Sequence, residues 1–281
     1  MSIMETSLWL NDFTKACKGN TFHLENLFRI QCETLCYPIE QYESDIQGEE
    51  LQFFLLQYGL FEPVEYEYLE QTLKNLSRMH IWSVVEEEYH RLKRLWNGPE
   101  VNVFIFPIKQ AHLPECKRIA SKNGVTYKQS IFLFLSPFLV LNEVRALFAH
   151  EYHHICRLST YNKMKVEPAL KDVIILEGLA EHAVKQLYGE KWLGPWHNHY
   201  PFEAMKELWK HYYLPNLNIT NERAQSIFLY GEEGTLFPKW IGYAVGYEIV
   251  DSYHTKQQCH YKKLHTLPTE ELIRGSTLGS T

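Results

Sequence analysis

The run His150-Glu151-Tyr152-His153-His154 sets two imidazoles four residues apart, with a carboxylate directly after the first. On a helix, residues four apart lie about 40° apart around the axis and about 6 Å along it, so both rings reach one cation. Glu151 then stands beside that cation without binding it. Its carboxylate can take a proton from a water whose pKa the metal lowers to about 7. The spacing is that of H-E-x-x-H, which makes His150 and His154 candidate zinc ligands and Glu151 the candidate general base of a hydrolase. A random chain of this composition shows the pattern about once in fourteen times, so the surroundings must decide. Leu147-Phe148-Ala149 precede it in a segment apolar enough to be buried, where imidazoles need polar partners.

A catalytic zinc takes three protein donors and leaves a fourth position for water. Glu177, in Leu176-Glu177-Gly178-Leu179-Ala180-Glu181-His182, is the candidate third ligand on the following helix, and Gly178 and Ala180 would let two helices approach closely. His182 is the alternative donor. Glu181, one turn beyond Glu177, is placed to accept a hydrogen bond from a ligating imidazole and fix its orientation. His153 projects about 60° from both His150 and His154 around the helix, which points to a supporting or surface role. A metzincin would need Gly at 157 and His at 160, and the chain has Arg157 and Thr160.

Further on, Gly242-Tyr243-Ala244-Val245-Gly246-Tyr247 places two glycines in an apolar helix, each costing about 1 kcal/mol relative to alanine. Close packing against the Glu177 helix is the expected compensation. It would bring Tyr243 or Tyr247 near the metal as a donor to the oxyanion of a tetrahedral intermediate, with His254 and His265 as weaker candidates.

These residues resemble the gluzincin branch of zinc peptidases, where H-E-x-x-H is followed some tens of residues later by a glutamate ligand on the next helix. Ala149 to His154, Ile175 to Glu181 and Gly242 to Tyr247 together resemble the YjaZ-like family of bacterial predicted zinc-dependent proteases, over roughly Val101 to Tyr253. The resemblance implies a zincin-type fold, one Zn²⁺ per chain and peptidase activity. Thermolysin-like enzymes usually carry Asp four residues after the ligand glutamate, where this chain has Glu181. The aminopeptidase Gly-Ala-Met-Glu-Asn motif does not occur, which favours an endopeptidase or an oligopeptide-cleaving enzyme.

The elements that must hold these groups are legible as periodicity. Residues 1–98 read as a helical region: Glu49 to Tyr58 is closed by Gly59, Tyr66 to Trp96 follows three-four spacing, and Asn97-Gly98-Pro99 stops it. Residues 99–281 read as the zincin-like catalytic region, with a sheet and the H-E-x-x-H helix in 99–158 and a helical part bearing the third ligand in 159–281. Val101 to Phe106 and Ile131 to Leu135 are short, β-branched and aromatic, hence strands. Asn123-Gly124 between them signals a tight turn and a small, mostly antiparallel sheet beside the active-site helix. Ile131 to Leu135 or its neighbour is the expected edge for an extended substrate. Helices are expected over Leu141 to Leu158 with Asn142 as a cap, from Pro168 to Gly189, and over Phe202 to Tyr213, Asn221 to Tyr230 and Lys239 to Tyr253. The fold class is therefore α+β, mainly α.

Composition narrows the rest. With 281 residues, 45% of them hydrophobic, the chain can bury a large core. A net charge of -6 with interspersed signs argues against nucleic acid as the main partner and leaves a peptide or protein substrate. The longest apolar run, Ile131 to Leu141, is about half a membrane span and contains Pro137, so no transmembrane segment is expected. No basic stretch and apolar core open the chain, which predicts a cytoplasmic address. Cys17, Cys32, Cys36, Cys116, Cys156 and Cys259 form no CxxC pair and read as reduced packing residues. No pattern fixes an oligomeric state. The rival reading is a non-catalytic zinc-binding regulator or chaperone-like protein, whose fourth coordination position a protein ligand would fill; a zinc hydrolase of non-peptide amides is a third.

Overall fold

A computed structural model describes residues 3–18, 24–43, 45–110, 121–160, 167–194, 196–197, 199–232 and 234–280. The N-terminal part is helical, as its spacing predicts: α1 (Thr6–Lys18), α2 (Leu24–Gln31), α3 (Tyr37–Glu40), α4 (Gly48–Tyr58), α5 (Tyr66–Arg78) and α6 (Ile81–Trp96). Gly59 ends α4 in a left-handed conformation, φ 118°, with its N–H turned back to Leu55 and Leu56 carbonyls. Then come β1 (Asn102–Pro107), β2 (Lys122–Tyr127), β3 (Ser130–Leu135), α7 (Leu141–Thr160), α8 (Leu170–Tyr188), α9 (Phe202–Leu208), α10 (Glu222–Tyr230), α11 (Ile241–Gln257) and α12 (Thr269–Gly275). The molecule is α+β and mainly α. No helix among the described residues is long and apolar enough to cross a membrane.

The chain divides into two compact units, Met1–Arg91 with Glu100–Glu151, and Leu92–Pro99 with Tyr152–Thr281. Helices α6 and α7 run unbroken through the division. In the first unit, Leu10 and Phe13 of α1, Leu51 and Leu55 of α4 and Leu69 and Leu73 of α5 share one core with Phe104, Phe106, Phe132 and Phe134 of the sheet. The sheet has the order β1-β3-β2. It is mixed: β1 pairs parallel with β3 (Asn102 opposite Ser130), and β2 pairs antiparallel with it (Tyr127 opposite Ser130). β3 is therefore central rather than an edge, and its neighbours β1 and β2 flank it. Every residue of β3 is buried, which is why it reads as an unbroken apolar run rather than an alternation.

Asn123-Gly124 is not the turn that the sequence predicts. Both residues lie inside β2, and the hairpin turns at Lys128 and Gln129, with Lys128 at φ 51°. The glycine serves a close approach instead. A Cβ on Gly124 would sit 2.7 Å from Glu151 Cγ and Oε1.

In the second unit, Leu170, Ile174, Ile175 and Leu179 of α8 pack with Ile241, Val245, Ile249 and Val250 of α11, and with Trp209, Tyr213, Leu272 and Leu278. Helix α8 begins two residues after Pro168. Leu170 and Lys171 donate their N–H groups to the Ile219 and Leu217 carbonyls, which satisfies part of the helix start. α8 and α11 meet backbone to backbone: a Cβ on Gly178 would lie 2.1 Å from Gly246 O, and one on Gly246 would lie 2.2 Å from Ile174 O. Gly246 thus compensates its helical cost as expected. Gly242 does so elsewhere, against Leu229 Cα of α10 at 2.6 Å. Cys17, Cys32, Cys36, Cys156 and Cys259 are free thiols, and Cys116 lies outside the described residues.

Candidate metal centre

Helix α7 starts where Val140 N–H donates to Glu143 Oε2 at 3.0 Å, and its apolar face is buried through Val144, Phe148, Tyr152 and Ile155. Twenty residues of continuous helix carry His150 and His154, so one rod sets their mutual position. One donor atom each from His150, His154 and Glu177 lies within 4.8 Å of the others. His154 Nε2 and Glu177 Oε2 are 3.6 Å apart. That gap is long for a hydrogen bond. It is close to the roughly 3.3–3.4 Å between two ligand atoms that each lie about 2.0–2.1 Å from one tetrahedral zinc. Two nitrogens and a carboxylate oxygen are also the donor set that zinc prefers, so the three residues fit the ion. Among the described residues this is the group that could hold a metal.

Glu151 is buried, and its carboxylate is held from the sheet. Thr126 Oγ1 of β2 donates to Glu151 Oε2 at 2.8 Å, while Oε1 lies over the bare backbone of Gly124. Neither residue was identifiable from the sequence as part of a site. The only available signal was a glycine interrupting a β-branched strand, and it resembles a turn.

The end of α7 is anchored by Arg157, which stands where a metzincin would have glycine. Its buried guanidinium donates to the His265 and Leu267 carbonyls at 2.7 and 2.6 Å and to Thr269 Oγ1 at 3.3 Å. His153 is enclosed between Trp96 and His265, with ring centroids 5.0 and 5.9 Å away. Burial, then the Arg157 charge, pushes the His265 pKa down.

The other expected residues have partners of their own. Glu181 Oε2 accepts the Gly194 N–H at 2.8 Å. Tyr243 packs on Trp196 at 4.6 Å. Tyr247 lies under Lys185 Nζ, 5.5 Å from its ring centre, and burial, partly offset by the Lys185 hydrogen bond, raises the phenol to about 12. Lys185 also binds Asp251 at 3.0 Å. His182, the alternative ligand, instead meets His254 across α8 and α11, Nε2 to Nδ1, at 3.1 Å.

Burial first, then the neighbouring His254, lowers the His182 pKa to about 4. An unfolded histidine titrates near 6.5. Between these values the unfolded chain binds a proton that the native state refuses, so stability is lost as pH falls from about 6.5 to about 4. The loss reaches on the order of 3 kcal/mol. Urea midpoints measured between pH 7 and 4 should fall more steeply for the natural chain than for His182→Asn; parallel slopes would contradict the assignment.

The geometry defines a helical, sheet-bearing protein with a candidate metal site of three donors. The chain belongs to the family described as "Predicted Zn-dependent protease (DUF2268)", whose model matches residues 81–274. It is 32% identical over 206 residues to the protein named "Uncharacterized protein YjaZ" of Bacillus subtilis (strain 168), covering 72% of this chain and 77% of the relative. It is 25% identical over 156 residues to "Uncharacterized protein YjfC" of the same organism, covering 50% of each. No solved structure matches.

Proposed function

We propose that the chain is a zinc-dependent peptidase of the gluzincin type, acting on peptide or protein substrates in the cytoplasm. The observation that carries this reading is the approach of His150, His154 and Glu177 donors to within 4.8 Å of one another, with Glu151 next in the chain. A zinc ion held by these three residues would polarise a carbonyl and acidify water. Among the described residues three donors converge, the number a catalytic zinc takes beside a water, whereas a closed structural site takes four.

The chain's own groups supply the proton movements. Glu151, its carboxylate held by the Thr126 hydroxyl, is the group that would take the proton from the attacking water and return it to the leaving amine. Glu181 supports the site indirectly, by holding the Gly194 loop one turn from the Glu177 ligand. Of the two tyrosines, Tyr243 is the better oxyanion donor, because the Tyr247 phenol is engaged with Lys185. β2, flanking β3 and touching Glu151, is the strand against which an extended substrate would lie.

The test is digestion of a peptide library by the zinc-loaded chain. Cleavage should vanish on chelation and return with added zinc. A zinc-loaded chain that cleaves nothing would favour the regulator reading, and cleavage indifferent to chelation would refute the zinc mechanism.

A further inference from the structure

Two routes lead from Glu177 to the same aromatic cluster. Along α8, Glu181 lies one turn past Glu177 and holds Gly194 N–H at 2.8 Å. Trp196 is laid on that glycine so closely that a Cβ there would fall 2.0 Å from its ring. Across to α11, Gly178, next to Glu177, seats Gly246, and Tyr243 lies one turn earlier on that helix, 4.6 Å from Trp196. Both routes start on the turn of α8 that carries Glu177, so Trp196 and Tyr243 are tied to that turn through Glu181 and through the Gly178–Gly246 contact. Trp240 extends the cluster, 5.3 Å from both, and Tyr230 stands 5.5 Å beyond it.

This cluster is not sealed core. Trp196 and Trp240 are half-buried and Tyr230 is exposed. Trp240 is also held in the left-handed region at φ 64°, a strained conformation for a bulky side chain. Its N–H is pinned to Tyr230 O at 2.6 Å. Strain of this kind persists where the surroundings over-determine it, and it concentrates at ligand clamps. Charge selects among occupants. Lys239 Nζ stands 5.8 Å over the Trp240 ring, which repels a cationic side chain and favours an uncharged aromatic one on the ring faces.

We infer that Trp196, Trp240 and Tyr230 form a specificity platform that selects peptide substrates with a large aromatic side chain beside the scissile bond. The inference rests on the peptidase reading of the zinc site. Its test uses binding rather than turnover: calorimetry of the zinc-loaded chain with the hydroxamates of N-acetyl-phenylalanine, N-acetyl-alanine and N-acetyl-lysine. The phenylalanine probe should bind about tenfold more tightly than the other two. In Tyr230→Ala and Trp240→Asn, the latter chosen because asparagine tolerates the left-handed backbone, that ratio should fall to about two while alanine hydroxamate affinity holds. Equal affinity of the three probes for the natural chain, or a ratio unmoved in both variants, overturns the platform and leaves the zinc site standing. Failure of every hydroxamate to bind the zinc-loaded chain overturns the zinc-peptidase reading and the platform with it.

Discussion

Glu151→Gln will keep its zinc and lose peptide hydrolysis by about two to four orders of magnitude, the usual contribution of a positioned general base. The amide is isosteric, so Thr126 can still donate to its oxygen and the room above Gly124 still suits it. What disappears is the capacity to accept a proton. Because Glu151 is not among the three converging donors, zinc stoichiometry should match the natural chain. Retained hydrolysis at unchanged zinc content would remove Glu151 from the chemistry. Loss of both zinc and fold would make the carboxylate structural. Kinetics on one cleaved peptide, with metal analysis of the same preparation, separates these outcomes.

Gly246→Ala should be strongly damaging although it removes none of the donors. In an ordinary helix interior the change stabilises by about 1 kcal/mol. Here the new methyl meets the Ile174 carbonyl oxygen at 2.2 Å, and the obstacle is backbone that no rotamer can move. The α8 and α11 axes must separate by about 1 Å or the contact must break, at a cost of about 1–3 kcal/mol for overpacking on top of the lost helix gain. Glu177 lies one residue from the contact, so the displacement also reaches the metal site. Urea unfolding should show net destabilisation and zinc titration a weaker site, by about tenfold for each 1.4 kcal/mol of misplacement. A variant as stable as the natural chain, binding zinc equally well, would mean that the helices do not meet at these glycines.

Local geometry made His150, Glu151 and His154 legible, because helix periodicity alone fixes two side chains four residues apart. Gly246 was legible for a similar reason: a costly glycine in an apolar helix demands a packing partner, and α8 is that partner. The same logic half failed at Gly242, whose partner is α10. Asn123-Gly124 misled because a glycine that makes room for a neighbouring carboxylate and one that makes a turn carry the same letter. Only the register of β2 on β3 distinguishes them. The contacts of Thr126, Arg157 and Trp196 were invisible in the sequence. Each acts on groups at least 25 residues away, or on a loop whose path no periodicity encodes. The mixed sheet was hidden for a related reason. Two buried, apolar strands read alike whether they pair parallel or antiparallel, and only the crossover decides.

The proposed chemistry depends on one zinc gripped by two imidazoles and a carboxylate with a corner left to water. X-ray absorption at the zinc edge of the loaded chain, with zinc stoichiometry measured on the same sample, tests it most directly. The expected result is one zinc per chain with about four nitrogen or oxygen neighbours at about 2.0–2.1 Å, an imidazole signature from two histidines, and loss of one light-atom neighbour in Glu177→Ala. A sulfur neighbour at about 2.3 Å, or a shell unchanged in Glu177→Ala, would contradict it.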